Sequence, residues 1–115
     1  MLSADLQMFT GTEQWFRHPL SSNFMYTDGV KFFAEHCGGG AYWFLDILAT
    51  ELADLQETEE FMSITLNVVD SSAKIIADDG NGNVLWTRTI DFTDAEEGTW
   101  KFFLTNNVLL LPSEY

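Results

Sequence analysis

Apolar residues recur at helical spacing through the middle of the first half of the chain. After Gly38-Gly39-Gly40, the positions Ala41, Phe44, Leu45, Leu48, Leu52 and Leu55 fall on one stripe of a helical wheel. Asp46, Thr50, Ala53, Asp54 and Glu57 fall on the opposite side. Tyr42, Trp43 and Ile47 widen the apolar surface over the first two turns. The pattern predicts a core helix running to Leu55, buried nearly all round at its start and packed against a sheet.

The flanking segments read by the same logic. Ser3 can cap a short helix through Phe9, with Leu2, Leu6 and Phe9 on its inner face, and Thr10-Gly11-Thr12 breaks it. Glu13 to His18 and Phe24 to Tyr26 predict two strands joined by a turn at Pro19 to Asn23. Val30, Phe33, Ala34 and Cys37 share helical spacing, so a helix is expected from about Val30 to His36, capped by Thr27 or Asp28. Two helices separated only by glycines form either a tight corner or one helix bent at that point.

From Phe61 the period becomes two. Met62, Ile64, Leu66 and Val68 face one way, and Ser63, Thr65 and Asn67 the other. Ala73 to Ala77 predicts another strand, and Asp78 to Asn83 a turn closing a hairpin onto Val84 to Phe92. Asp94 to Gly98 reads as a loop or a single helical turn, Trp100 to Leu104 as a strand, and Asn106-Asn107 as a turn into Val108 to Leu111. The expected class is α+β: a two-layer single domain over residues 1–115, with N-terminal helices packed on a meandering antiparallel sheet.

Charge narrows the functions. Lysine and arginine number 5 against 18 acids, a formal net charge of -13. That balance argues against direct binding to nucleic acid, whose recognition starts from a basic footprint, and against an anionic membrane surface. Cys37 is the single cysteine, so no intramolecular disulfide can form and a reducing compartment is expected. The N-terminus shows no signal-peptide pattern, and the apolar runs are too short to cross a bilayer, so a cytoplasmic protein is expected.

Candidate chemistry is sparse. Asp79, Asn81 and Asn83 match the first three places of a calcium loop, but Val84 and Ile90 stand where a glycine and a bidentate glutamate belong, so a hairpin turn is the better reading. His18, His36 and Cys37 are the only soft metal ligands, and His36 and Cys37 are adjacent, pointing about a third of a turn apart. Neither a metal nor a cofactor is expected. The three glycines precede a helix N-terminus, a geometry able to hold an anion, but no strand precedes them and no lysine follows. Arg88 alternates in phase with Val84, Trp86, Ile90 and Phe92 on an apolar strand face. Its stem either packs on Trp86 while its head reaches an acid, or it binds an anion or ligand in an aromatic-lined pocket.

Several stretches taken together resemble an uncharacterised family of small bacterial, phage and plasmid proteins. They are Phe9 to Glu13, Tyr26-Thr27-Asp28-Gly29-Val30-Lys31-Phe32, Gly40 to Asp46, Asp91-Phe92-Thr93-Asp94 and Leu111-Pro112-Ser113-Glu114-Tyr115. The likeness spans nearly the whole chain and implies one compact domain. It carries no known catalytic residues.

The 42 residues between Lys31 and Lys74 contain eight acids and no lysine or arginine. That density leads to the functional expectation of a non-catalytic acidic module that binds a basic protein surface. Its centre is placed at Glu51, Asp54, Glu57, Glu59 and Glu60, and its target is a nucleic-acid-binding host defence protein, engaged by nucleic-acid mimicry. Two other readings stand beside it: a small enzyme or ligand-binding domain using Arg88, and an accessory protein whose charge serves solubility only.

Overall fold

Alternation of apolar and polar residues builds the centre of a sheet, and glycines turn the helices that cover it. A computed structural model describes residues 15–19 and 24–115. In chain order the elements are β1 (Trp15–Arg17), β2 (Met25–Thr27), α1 (Asp28–His36), α2 (Tyr42–Glu51), a 3-10 turn (Leu55–Glu57), β3 (Phe61–Val69), β4 (Ser72–Asp78), β5 (Val84–Ile90), β6 (Gly98–Thr105), β7 (Val108–Leu110) and a closing 3-10 turn (Pro112–Glu114). The helix expected over Ser3 to Phe9, the break after it and most of the turn before Phe24 lie outside the described residues.

Seven strands form one sheet in the order β1-β2-β7-β6-β3-β4-β5. Only β3, β4 and β5 meander. β6 crosses back to pair with the far side of β3, and β2 pairs with β7 in parallel. The expected meandering antiparallel sheet is therefore corrected: the sheet is mixed, and it dominates the fold. The cause is the connection from β2 to β3. These two strands run the same way, so the chain between them must cross over the sheet, and α1 and α2 are that crossover. Both helices consequently cover one face.

Sequence periodicity assigns the faces. Met62, Ile64, Leu66 and Val68 of β3 are buried under the helices with Ala73, Ile75 and Ala77 of β4 and Trp100, Phe102 and Leu104 of β6. Phe33 of α1 links the layers, its ring 6.0 Å from Phe44 of α2, 5.8 Å from Trp100 and 5.0 Å from Phe102. Phe44 also lies 5.0 Å from Phe102. Two-residue turns close β3–β4 and β6–β7, with Asp70 and Ser71 at φ of 51° and 63°, and Asn106 and Asn107 at 52° and 64°.

Of the two forms open to the glycine run, the structure adopts the tight corner. The Cys37 N–H donates to the Phe33 carbonyl and ends α1, while the Ala41 N–H donates to the Ala34 carbonyl at 2.7 Å. Gly38 has a φ of +60°, and a Cβ there would meet the Asp94 carbonyl oxygen at 2.2 Å. The loop after β5 thus crosses directly against the corner. Cys37 is buried, and burial pushes its thiol pKa up.

Helix α2 ends sooner and stands less buried than its stripe predicts. It stops at Glu51, with Leu55 carried into the separate 3-10 turn. Tyr42 is 40% exposed and Trp43 half-buried, so the first turn shows one side to solvent. Asp46 projects from α2 to the buried His18 after β1, with Oδ1 2.7 Å from Nε2.

The C-terminus caps α1. The Thr27 hydroxyl accepts from the Val30 N–H and donates to Glu114 Oε1 at 2.6 Å. The same carboxyl accepts from the Leu111 and Gly29 N–H groups. Gly29 permits this approach, since a Cβ there would lie 2.7 Å from both Glu114 Oε1 and Leu111 Cδ1. Burial raises the Glu114 pKa, and the Asp28 carboxyl adds to the push against the hydrogen bonds from Thr27, Leu111 and Gly29.

Two predictions follow from this packing. Phe44→Ala should cost about 3–5 kcal/mol of stability, and Trp43→Ala distinctly less, because only Phe44 is fully buried; urea unfolding of both variants checks the order. Glu114 has a raised native pKa, so its contribution is fully present below the unfolded carboxyl value and is lost as pH rises through the native one. The stability of the wild type relative to Glu114→Gln should therefore fall across that window and then level off; a pH-independent difference would contradict the burial of a titrating carboxyl.

Candidate functional site

The acidic stretch forms the corner where α2 gives way to the sheet. Leu52 is buried, and its N–H donates to the Leu48 carbonyl to close the helix. The Gln56 N–H then donates to the Leu52 carbonyl, the Glu57 N–H to Asp54, and the Glu59 N–H to Leu55 at 2.8 Å. These bonds hold Asp54, Glu57, Glu59 and Glu60 in one compact turn leading to β3. Asp54, Glu57 and Glu60 are exposed and Glu59 is half-buried.

Mutual repulsion makes these charges unfavourable for the fold, and Glu51, in the last turn of α2, also faces the helix end. The C-terminal end of a helix carries partial negative charge, where a cation stabilises and an anion costs about 0.3–1 kcal/mol at low ionic strength. No basic residue occupies the last turn of α2. Every lysine, arginine and histidine of the chain lies within the described residues, and among these residues only Glu51 of the five acids has an ion-pair partner. That partner is Arg88, whose Nη1 donates to Glu51 Oε2.

A cleft of about 230 Å³ opens at the same corner. Phe24, Ala49 and Ala53 form its apolar part, and Asp54, Gln56, Glu57 and Asn107 its polar part. Gln56 Oε1 is buried there with no hydrogen-bond partner among the described residues. Two acidic residues therefore line one small hollow, an acceptor-rich setting suited to an ammonium or guanidinium group. The acidic run pointed to Asp54 and Glu57; nothing in the sequence singled out Gln56 or the cleft, which Phe24 and Asn107 complete from distant positions.

Arg88 lies on the helix-covered face of β5, in register with the buried Ile75, and its head reaches an acid. Its side chain remains 44% exposed, and that of Glu51 33%. A second, more apolar hollow of about 440 Å³ is lined by Trp43, Ile47, Ile90, Phe92, Thr93 and Asp94. Arg88 stands outside that lining.

The other candidates are placed as follows. Asp79 closes its own turn: its Oδ1 accepts from the N–H groups of Asn81 and Asn83 and its Oδ2 from Asn83 Nδ2, and the Asn83 bond leads the causes that lower its pKa. His36 lies at the exposed end of α1 with its ring 4.3 Å from that of Phe32. Among the described residues no three His, Cys, Asp or Glu side chains group as metal ligands, and no helix is long and apolar enough to cross a membrane.

Charges of the two signs are segregated. β3, β5, β6 and β7 carry no acid, while Lys74 and Lys101 stand exposed on β4 and β6, alternating with residues buried under the helices. The fold and this corner define a small mixed α/β protein with a sheet covered on one face by two helices and an uncompensated acidic turn. Residues 1–115 match a family of unknown function, DUF6876, and the chain belongs to that family. No curated protein and no solved structure matches it.

If the crowded acids repel one another, neutralising them should strengthen the fold. Asp54→Asn with Glu57→Gln should raise the melting temperature at low salt, and the gain should shrink as salt is added. Glu51→Gln should give no such gain, because it also removes the partner of Arg88.

Proposed function

We propose that this protein is a non-catalytic acidic module that binds a basic protein surface through Asp54, Glu57, Glu59 and Glu60, with Glu51 at the border of that surface. The observation that carries this reading is the set of carboxylates crowded into one turn after α2 with no cation beside them among the described residues, where their mutual repulsion works against the fold. Residues that break a local rule without compensation are expected where function requires them. The cleft lined by Asp54, Gln56 and Glu57 supports it further, since its two acidic residues offer acceptors to an arginine or lysine head. Long-range attraction from a chain of net charge -13 would speed encounter with a cationic partner.

Among basic proteins, those that bind nucleic acid display the most concentrated positive surfaces, and an acidic turn of this kind can occupy such a surface in place of phosphates. The proposed role is inhibition of a host defence protein of that type, exerted by a protein encoded on a mobile element.

The test is capture from a host lysate by the immobilised wild type and by a variant with Asp54, Glu57, Glu59 and Glu60 all changed to lysine. The four reversals, two units each, move the formal net charge from -13 to -5. They should leave the melting temperature unchanged or higher. The wild type should retain basic nucleic-acid-binding proteins at low salt and release them at high salt, and the variant should retain none of them. Equal capture by both proteins, or no basic protein bound to the wild type at low salt, would overturn the proposal.

A further inference from the structure

The sheet ends in an edge that matches itself. β5 is the last strand of the order, so one side of its backbone faces no other strand among the described residues. Its sequence, Val84-Leu85-Trp86-Thr87-Arg88-Thr89-Ile90, consists largely of strong strand formers and contains no glycine or proline. Exposed edges in monomeric proteins are normally defended by several charges, a proline, a bulge or a very short strand. β5 has one charge, Arg88, and one bulge, at Leu85, where Trp86 pairs with Ala77 and Val84 with Asp78; Trp86 to Ile90 are regular. The opposite edge, β1, is three residues long.

We propose that the free edge of β5 is a self-association surface, on which a second copy of this chain lays its own β5 antiparallel about Thr87 to continue the sheet. The register follows from the sequence. With Thr87 on the two-fold axis, Trp86 stands opposite Arg88 within the regular stretch, and this pair occurs twice. Trp86 and Arg88 both project to the helix-covered face, in register with Ala77 and Ile75 of β4. The Arg88 of one copy therefore meets the Trp86 ring of the other, a cation–π pair that the guanidinium can make with its exposed portion while holding Glu51.

Two further features fit a second copy. Val84 is 61% exposed and Phe92 is 78% exposed, at opposite ends of the strand. Antiparallel pairing brings the Val84 end of one strand to the end of the other that carries Ile90, Phe92 and the apolar hollow formed with Trp43 and Ile47. Charge points the same way. No acid occurs from Gly80 to Ile90, so in a chain of net charge -13 this is an edge where like-charge repulsion between copies is locally small.

The proposal is independent of the acidic corner, and salt separates the two: screening should strengthen self-association while it weakens capture of a basic partner. Sedimentation of the wild type at about 0.01 M and about 0.15 M salt, over which the Debye length shortens from about 30 to about 8 Å, should show a dimer favoured at the higher value. Thr87 is exposed, so Thr87→Lys should keep the wild-type melting temperature, yet weaken dimerisation about tenfold by opposing two cations on the axis. Thr87→Cys should be joined rapidly by a short thiol crosslinker, whereas Thr99→Cys, exposed on β6 away from the edge, should not. A wild type that stays monomeric at the higher salt would overturn the proposal. So would a dimer unaffected by Thr87→Lys, or crosslinking no faster at position 87 than at 99.

Discussion

The fold depends on one cluster of rings. Phe33, Phe44, Phe102 and Trp100 come from α1, α2 and β6, and they meet at centroid distances that give each pair a tilted or edge-on contact. Since α1 and α2 are also the crossover between parallel strands, this cluster locks the connection that sets the strand order. Loosening it would free the helices from the sheet and remove the reason for β2 to lie beside β7.

Around that centre, close backbone approaches replace long side chains. Gly38 lets the Asp94 loop cross the helical corner, and Gly29 lets Glu114 reach the first turn of α1. The second contact joins two distant segments, Thr27-Asp28-Gly29 and Leu111 to Tyr115, through one partly buried carboxyl. The first joins the glycine corner to Asp91 to Asp94. Four stretches that stand out in the sequence thus pair off in space as two docking contacts, which accounts for them structurally without assigning any of them a reaction.

The acidic corner follows a different logic. Arg88 of β5 and Glu51 of α2 satisfy each other, while the remaining acids crowd the turn after α2 and repel one another. Stability alone would place cations there, yet Lys74 and Lys101 stand on the sheet and Lys31 on α1. The same molecule therefore has an acid-rich corner at one site and an acid-free strand edge at another.

Periodicity by itself determined the helix faces, the alternation of β3 and the turns at Asn106-Asn107 and Asp78 to Asn83, because each rests on neighbours in sequence. It also located the acidic corner and the phase of Arg88, since charge density and strand alternation are local properties. Strand order, the parallel β2–β7 pair and the early end of α2 depend on contacts between segments far apart in the chain, and local patterns carry no record of those. The stripe through Leu55 shows the difference. Its spacing is helical throughout, yet Leu52 closes α2 and Leu55 is carried into a separate turn. Which acid Arg88 reaches, and which oxygen of Gln56 is left without a partner, were likewise decided only when the crossover brought α2 over the sheet.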